Sequence, residues 1–178
     1  MIEVIVIIAI VIALAIAVIL VLAATKPNTF SVRRSATVNA PAERIFAVLG
    51  DFHQWRGWSP WESKDPAMNR TYQGAERGKG AVYAWDGNKN VGSGRMEILE
   101  ATTPSKILIK LDFLKPFEAH NIAEFTMAPQ GNATNVDWLM RGSAPFMFKL
   151  MEVFISCDKM IGKDFEAGLA NLKTLVEK

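Results

Sequence analysis

The stretch "KILIKLDF", residues 106 to 113, decides the architecture. Ile107, Ile109, Leu111 and Phe113 alternate with Leu108, Lys110 and Asp112, a period of two that gives an extended chain one dry face and one wet face. Further on, the same test sets Asn121, Ala123, Phe125 and Met127 opposite Ile122, Glu124 and Thr126. It also sets Val136, Trp138 and Met140 opposite Asp137, Leu139 and Arg141. Between and before these runs stand "GAERGKG", "DGNKNVG", "ATTPS", "LKPFE" and "PQGNAT", rich in the residues that turns require. The chain after Met68 therefore reads as a meander of about six antiparallel strands. Consecutive strands with one apolar face need something to cover it.

The cover is the segment from Pro145 to Lys178, where Met147, Leu150 or Met151, Phe154, Cys157, Ile161, Phe165, Leu169, Leu172 and Val176 recur at three- and four-residue spacing. This predicts one long amphipathic helix, kinked near Gly162. On the other side of the meander, "FSVRRSATV" alternates Phe30, Val32, Arg34, Ala36 and Val38 as a strand. The following "NAPAERIFAVLGDF" changes to a helical period, with Pro41 in its first turn, Ile45, Phe46 and Leu49 on its apolar stripe and Gly50 at its end. Asp51 can cap a second short helix. The order strand, short helices, strands, long helix predicts an α+β domain in which a curved antiparallel sheet wraps around the C-terminal helix. Such a curled sheet tends to leave a hollow beneath the helix, suited to an apolar ligand.

Residues 1 to 24 are apolar except Glu3, and from Val4 to Ala24 a helix reaches about 30 Å, the thickness of a hydrocarbon core. The expected organisation is a transmembrane anchor over 1–24, a linker over 25–29 and a ligand-binding domain over 30–178. A secretory signal is the rival reading, with "VLA" at 21–23 as a cleavage site, but no Lys or Arg precedes the apolar run and the run is long for a cleaved signal. The expectation is a single-pass membrane protein. Lys26, Arg33 and Arg34 after the helix favour a cytoplasmic body.

All 20 Lys and Arg follow the anchor, as do all 18 Asp and Glu except Glu3. The excess is too mild and too scattered for a nucleic-acid partner. The single cysteine, Cys157, excludes an intramolecular disulfide and a multi-cysteine metal site. Its place on the apolar stripe reads as a buried structural thiol.

Three of the five tryptophans fall in "WRGWSPWESKDP", residues 55 to 66. Such rings either plug the open end of a curled sheet or stand at a pocket mouth, with Glu62 and Asp65 orienting the loop. Catalytic candidates are few. His53 and His120 fit no metal-ligand pattern, and the spacing of Asp51 and His53 on a short helix points their side chains apart. No G-x-S-x-G elbow or P-loop is present, and "GSGR" at 92–95 reads as a softened strand or bulge. No metal, cofactor or catalytic residue is expected.

The phrases "SATVNAPAERIFAVLGDFHQW", "WSPWESKDP", "GAVYAWDGNKNVGSGRMEILE" and "KMIGKDFEAGLANLKTLVE" resemble the START-like (SRPBCC) superfamily of polyketide cyclase/dehydrase-like and lipid-transfer proteins. The resemblance covers everything after residue 29 and points to a membrane-anchored bacterial branch. It implies a helix-grip fold with a deep, mostly apolar pocket under the C-terminal helix, and no single chemistry. The residues expected around that pocket are Trp58, Trp61, Tyr83, Ile109, Leu111, Phe125, Met127, Trp138, Met151 and Phe154. The leading functional reading is a membrane-tethered binding module for a hydrophobic small molecule or lipid. A cyclase-like enzyme would use Tyr83, Glu100 or Arg95 to polarise a carbonyl, and a structural partner of an envelope complex would expose a large apolar patch.

Overall fold

The computed structural model describes residues 2 to 178. Helix α1 (Ile2–Thr25) is followed by β1 (Thr29–Val38), α2 (Ala42–Leu49), a 3-10 turn (Phe52–Gly57) and α3 (Pro60–Lys64). Six strands then run in succession: β2 (Asn69–Gly74), β3 (Ala81–Asp86), β4 (Ser93–Thr102), β5 (Lys106–Lys115), β6 (Ala119–Gln130) and β7 (Ala133–Ser143). Helices α4 (Phe146–Phe154) and α5 (Cys157–Val176) complete the chain. The strands form one seven-stranded sheet in the order β1-β7-β6-β5-β4-β3-β2, antiparallel at every junction. The segment carrying α2 and α3 thus crosses from one edge of the sheet to the other.

The register aligns the inward residues that alternation picks out. Ile107 faces Phe125 across β5 and β6, and Phe125 faces Trp138 across β6 and β7. Ile107, Ile109, Phe125 and Val136 are fully buried, as a dry face under a covering layer requires. Register shifts between Ser93 and Gly94 and between Ile98 and Glu100 mark irregularities in the β4–β5 ladder, and such bulges bend a sheet around what it encloses. Phe165, Leu169, Leu172 and Val176 of α5 close the other side of the core.

The expected single C-terminal helix is in fact two. Ile155 is extended and Ser156 caps α5, its hydroxyl accepting from the Lys159 N–H at 3.3 Å. The break falls there because the cap satisfies donors that a continuous helix would otherwise bond internally. Gly162 is no kink. It lies inside α5 where a Cβ would come within 1.9 Å of the Arg34 guanidinium. Arg34, on the inward face of β1, emerges through that gap to bond Asp158 at 3.0 Å and Glu166 at 2.7 Å.

Helix α4 sits at the edge of the sheet, with Phe148 stacked on Phe30 of β1 at 4.9 Å between ring centroids. It packs on the last turns of α1, where Ala23 is fully buried and Lys26 reaches Glu152 at 3.6 Å. Among the described residues, α1 is the one helix long and apolar enough to cross a membrane.

Candidate functional site

The tryptophan segment lies between the sheet and α5. The 3-10 turn starts because Asp51 accepts the His53 backbone N–H at 2.9 Å, and the Trp55 indole anchors it by donating to the Leu49 carbonyl at 3.0 Å. Trp58 is then carried inward, edge-on to Phe125 (6.0 Å between ring centroids) and to Trp138 (5.4 Å). Trp61 sets its edge against Trp138 and against Phe165 of α5. These rings fill the space between sheet and helix, so the deep hollow expected there is occupied by side chains. A Cβ at Gly168 would stand 2.9 Å from the Trp138 ring and 3.1 Å from Pro60, so the close approach of α5 depends on that glycine.

Trp58 and Trp138 are 1% and 3% exposed, yet neither indole N–H has an acceptor. A buried donor left unpaired costs about 1–3 kcal/mol. Trp55, in the same cluster, is satisfied. The contrast sets the indoles of Trp58 and Trp138 apart from the rest of the cluster as buried, unpaired donors.

A polar cluster closes the loop beside these rings. Glu62, only 8% exposed, accepts from the Tyr83 hydroxyl at 2.8 Å and from the Arg70 Nε at 2.8 Å. Burial, followed by the hydrogen bond to Glu62, pushes the Tyr83 phenol well above its ordinary value. Asp65 accepts the Asn88 N–H at 2.7 Å. Glu62 and Asp65 thus tie this segment to β2, β3 and the turn after β3. A surface cleft of about 380 Å³ opens here, lined by Arg56, Trp58, Ser59, Glu62, Arg70 and Asn171 among others.

Of the residues expected around a pocket, Trp58, Tyr83, Ile109, Phe125, Met127 and Trp138 are buried in the interior, and Trp61 and Leu111 pack half-buried against it. Met151 and Phe154 are elsewhere, exposed on α4, because the break before Ser156 turns their stripe away from the sheet. Tyr83, Arg95 and Glu100 do not converge: Arg95 pairs with Glu97 at 2.9 Å and Glu100 with Lys106 at 3.2 Å. His53 and Asp51 do meet, contrary to the spacing argument, with the ring Nδ1 3.2 Å from the carboxylate. Capping geometry, unlike helical geometry, folds residue i+2 back onto i. His53 also stacks on Tyr72 at 4.1 Å. His120 pairs with Asp112 at 2.7 Å. Among the described residues no cluster of His, Cys, Asp or Glu is arranged to hold a metal ion.

Sequence reasoning missed Arg70 as the partner of Glu62 and Phe165 as the ring stacked on Trp138 at 3.9 Å. Phe165 stood on the predicted helix stripe. Nothing in the spacing of Arg70 marked it.

None of the curated proteins matches the sequence. Among solved structures, a Chromobacterium violaceum protein superposes with a TM-score of 0.61 at 17% identity, covering 86% of this chain and 99% of its own. A Nitrosospira multiformis protein gives 0.60 at 18% identity, covering 83% and 96%. The two-domain ARO/CYC protein BexL from the BE-7585A biosynthetic pathway gives 0.61 at 14% identity, covering 88% of this chain and 53% of its own. At these identities the likeness is one of fold. The sequence itself matches the family described as polyketide cyclase / dehydrase and lipid transport over residues 29–177, and the chain belongs to that family.

Proposed function

We propose that the domain after residue 29 binds a hydrophobic small molecule carrying at least one hydrogen-bond acceptor, and that α1 tethers it to a membrane. The observation that carries the reading is the pair of buried, unpartnered indole N–H groups of Trp58 and Trp138. A carbonyl or ether oxygen reaching either of them would satisfy a donor that the protein leaves unsatisfied, while the surrounding rings take the apolar part of the ligand. Because the rings fill the interior, binding requires the segment from Trp58 to Trp61 to move outward. The surface cleft beside Trp58 is the place where that movement opens a path. The family's printed description and the ARO/CYC protein among its structural neighbours support the ligand class. The length and hydropathy of α1 support the tether.

The test is native mass spectrometry of the full chain released from detergent micelles, with solvent extraction of whatever remains bound. A stoichiometric apolar adduct that persists in wild type and is lost in Trp138→Phe, which keeps the ring and removes the donor, is the expected result. Adducts equal in both proteins would show that the Trp138 donor takes no part. A protein that emerges empty and also ignores a panel of apolar carbonyl compounds would overturn the binding reading.

A further inference from the structure

Helix α4 presents Met147, Met151 and Phe154 at i, i+4 and i+7, one helical face, with exposures of 71%, 42% and 68%. Its other side is taken by the end of α1 and by Phe30 of β1, on which Phe148 stacks. The stripe continues into Ile155, 51% exposed. A second exposed apolar group sits at the end of β5 and in the β5–β6 turn, where Leu114 is 58% and Phe117 83% exposed.

The register brings the two groups to one end of the domain. Thr29, the first residue after the link to α1, pairs with Ser143 at the end of β7. Gly142 pairs with Asn121 near the start of β6, and Phe113 with Ala119 on either side of the turn. The turn, the start of α4 and the exit of α1 therefore share one rim of the sheet, opposite the β6–β7 turn at Gly131 and Asn132.

We infer that this rim is a membrane-contacting surface, in which α4 and the β5–β6 turn sink their apolar side chains into the headgroup and acyl boundary of the bilayer that α1 crosses. The inference rests on the tether proposed above. The occupant is lipid because of where α4 sits. An apolar run from Val4 to Ala24 matches the hydrocarbon thickness of about 30 Å, so the turn of α1 around Ala23 lies at its edge, and α4 is packed against that turn. Charge agrees. The groove where α4 meets α5, about 660 Å³ in volume, has Ile155 and Met160 beside Lys159 and Lys163. The groove's other cations, Arg34 and Lys64, are held by Glu166 and Asp164, whereas Lys159 and Lys163 have no carboxylate partner among the described residues. Amphipathic surfaces of this kind bury apolar side chains about 5–10 Å deep and are strengthened by anionic lipid.

The experiment uses the full chain in phosphatidylcholine vesicles containing phosphatidylglycerol. Single cysteines in a Cys157→Ala background carry an environment-sensitive fluorophore at Ala15, Met147, Phe117 or Asn132, and lipid-borne nitroxides at known depths act as quenchers. Ala15→Cys should be quenched most by deep nitroxides, Met147→Cys and Phe117→Cys by shallow ones, and Asn132→Cys by neither. Quenching at Ala15 with none at Met147 and Phe117 would overturn the inference and leave the tether standing. A probe at Met147 shielded from water but untouched by nitroxide would put a protein on this face and overturn lipid as its occupant. No quenching at Ala15 would overturn the tether, and this inference with it.

Discussion

Trp138 of β7 and Phe165 of α5 stack face to face, their centroids 3.9 Å apart and their planes 5° from parallel. One ring comes from the sheet and the other from the helix, so this contact joins the two layers directly. Trp138→Ala should cost about 3–5 kcal/mol, the range for large aromatic truncations in a core. Trp138→Phe should cost far less, since it keeps most of the contact and removes a donor that has no acceptor. Urea unfolding of both variants measures the difference. Equal losses would mean that a phenyl ring recovers nothing and that what both variants lack, the full indole with its N–H, carries the contact.

Gly168 tests the same layer contact from the helix side. Gly168→Ala improves helix propensity by about 1 kcal/mol, but its Cβ would press on Trp138 and Pro60. Overpacking typically costs about 1–3 kcal/mol, so the net effect should be destabilising. A rise in melting temperature would show that α5 has slack to move away from the ring.

Glu62→Gln probes the hold on the tryptophan loop. The carboxylate takes hydrogen bonds from Tyr83 and Arg70, and the Arg70 side chain is 11% exposed. Neutralising it leaves a largely buried guanidinium without its counter-charge, a loss on the order of 1–3 kcal/mol. Limited proteolysis should cut between Trp55 and Pro66 sooner in the variant than in wild type. Unchanged cleavage would mean that ring packing alone fixes the loop.

The chain has two tyrosines, and both phenols are raised. Burial lifts Tyr72, and burial with the bond to Glu62 lifts Tyr83. A raised phenol disfavours the tyrosinate in the folded state. Its contribution to stability is therefore fully present below the unfolded value of about 10 and is lost as pH rises above it. Absorbance at 295 nm should show the folded protein well short of half-ionised at pH 10, where the urea-unfolded chain is half-ionised. Coincident titration curves would refute the shift.

The sheet was legible because its inward residues obey a strict period of two. Ile107, Ile109, Phe125 and Trp138 could be assigned from alternation, and the register repeats that assignment across three strands. The tryptophan loop was legible as an aromatic mass but not as a filled interior. Composition shows that rings are present, whereas Phe165 meets Trp138 only through the packing of α5. The C-terminal stripe misled for a related reason. Its apolar period runs across the break at Ile155, so periodicity alone could not show that Met151 and Phe154 serve a different surface from Leu169 and Leu172. Arg34 was placed on the correct face of its strand, but its exit through the gap at Gly162 depends on two segments far apart in the chain.

Only Lys26, Pro27 and Asn28 separate α1 from β1. At about 3.3–3.6 Å per extended residue that leash reaches little more than 10 Å, and the Lys26–Glu152 pair ties its first residue to α4. With α1 in a bilayer, the domain could rotate and drift in two dimensions but could not reach across an aqueous gap to a second membrane. Cargo would have to come from the lipid underfoot or from a partner that travels to it. Such a protein would serve as a fixed station in any traffic of apolar molecules, with the travelling left to others.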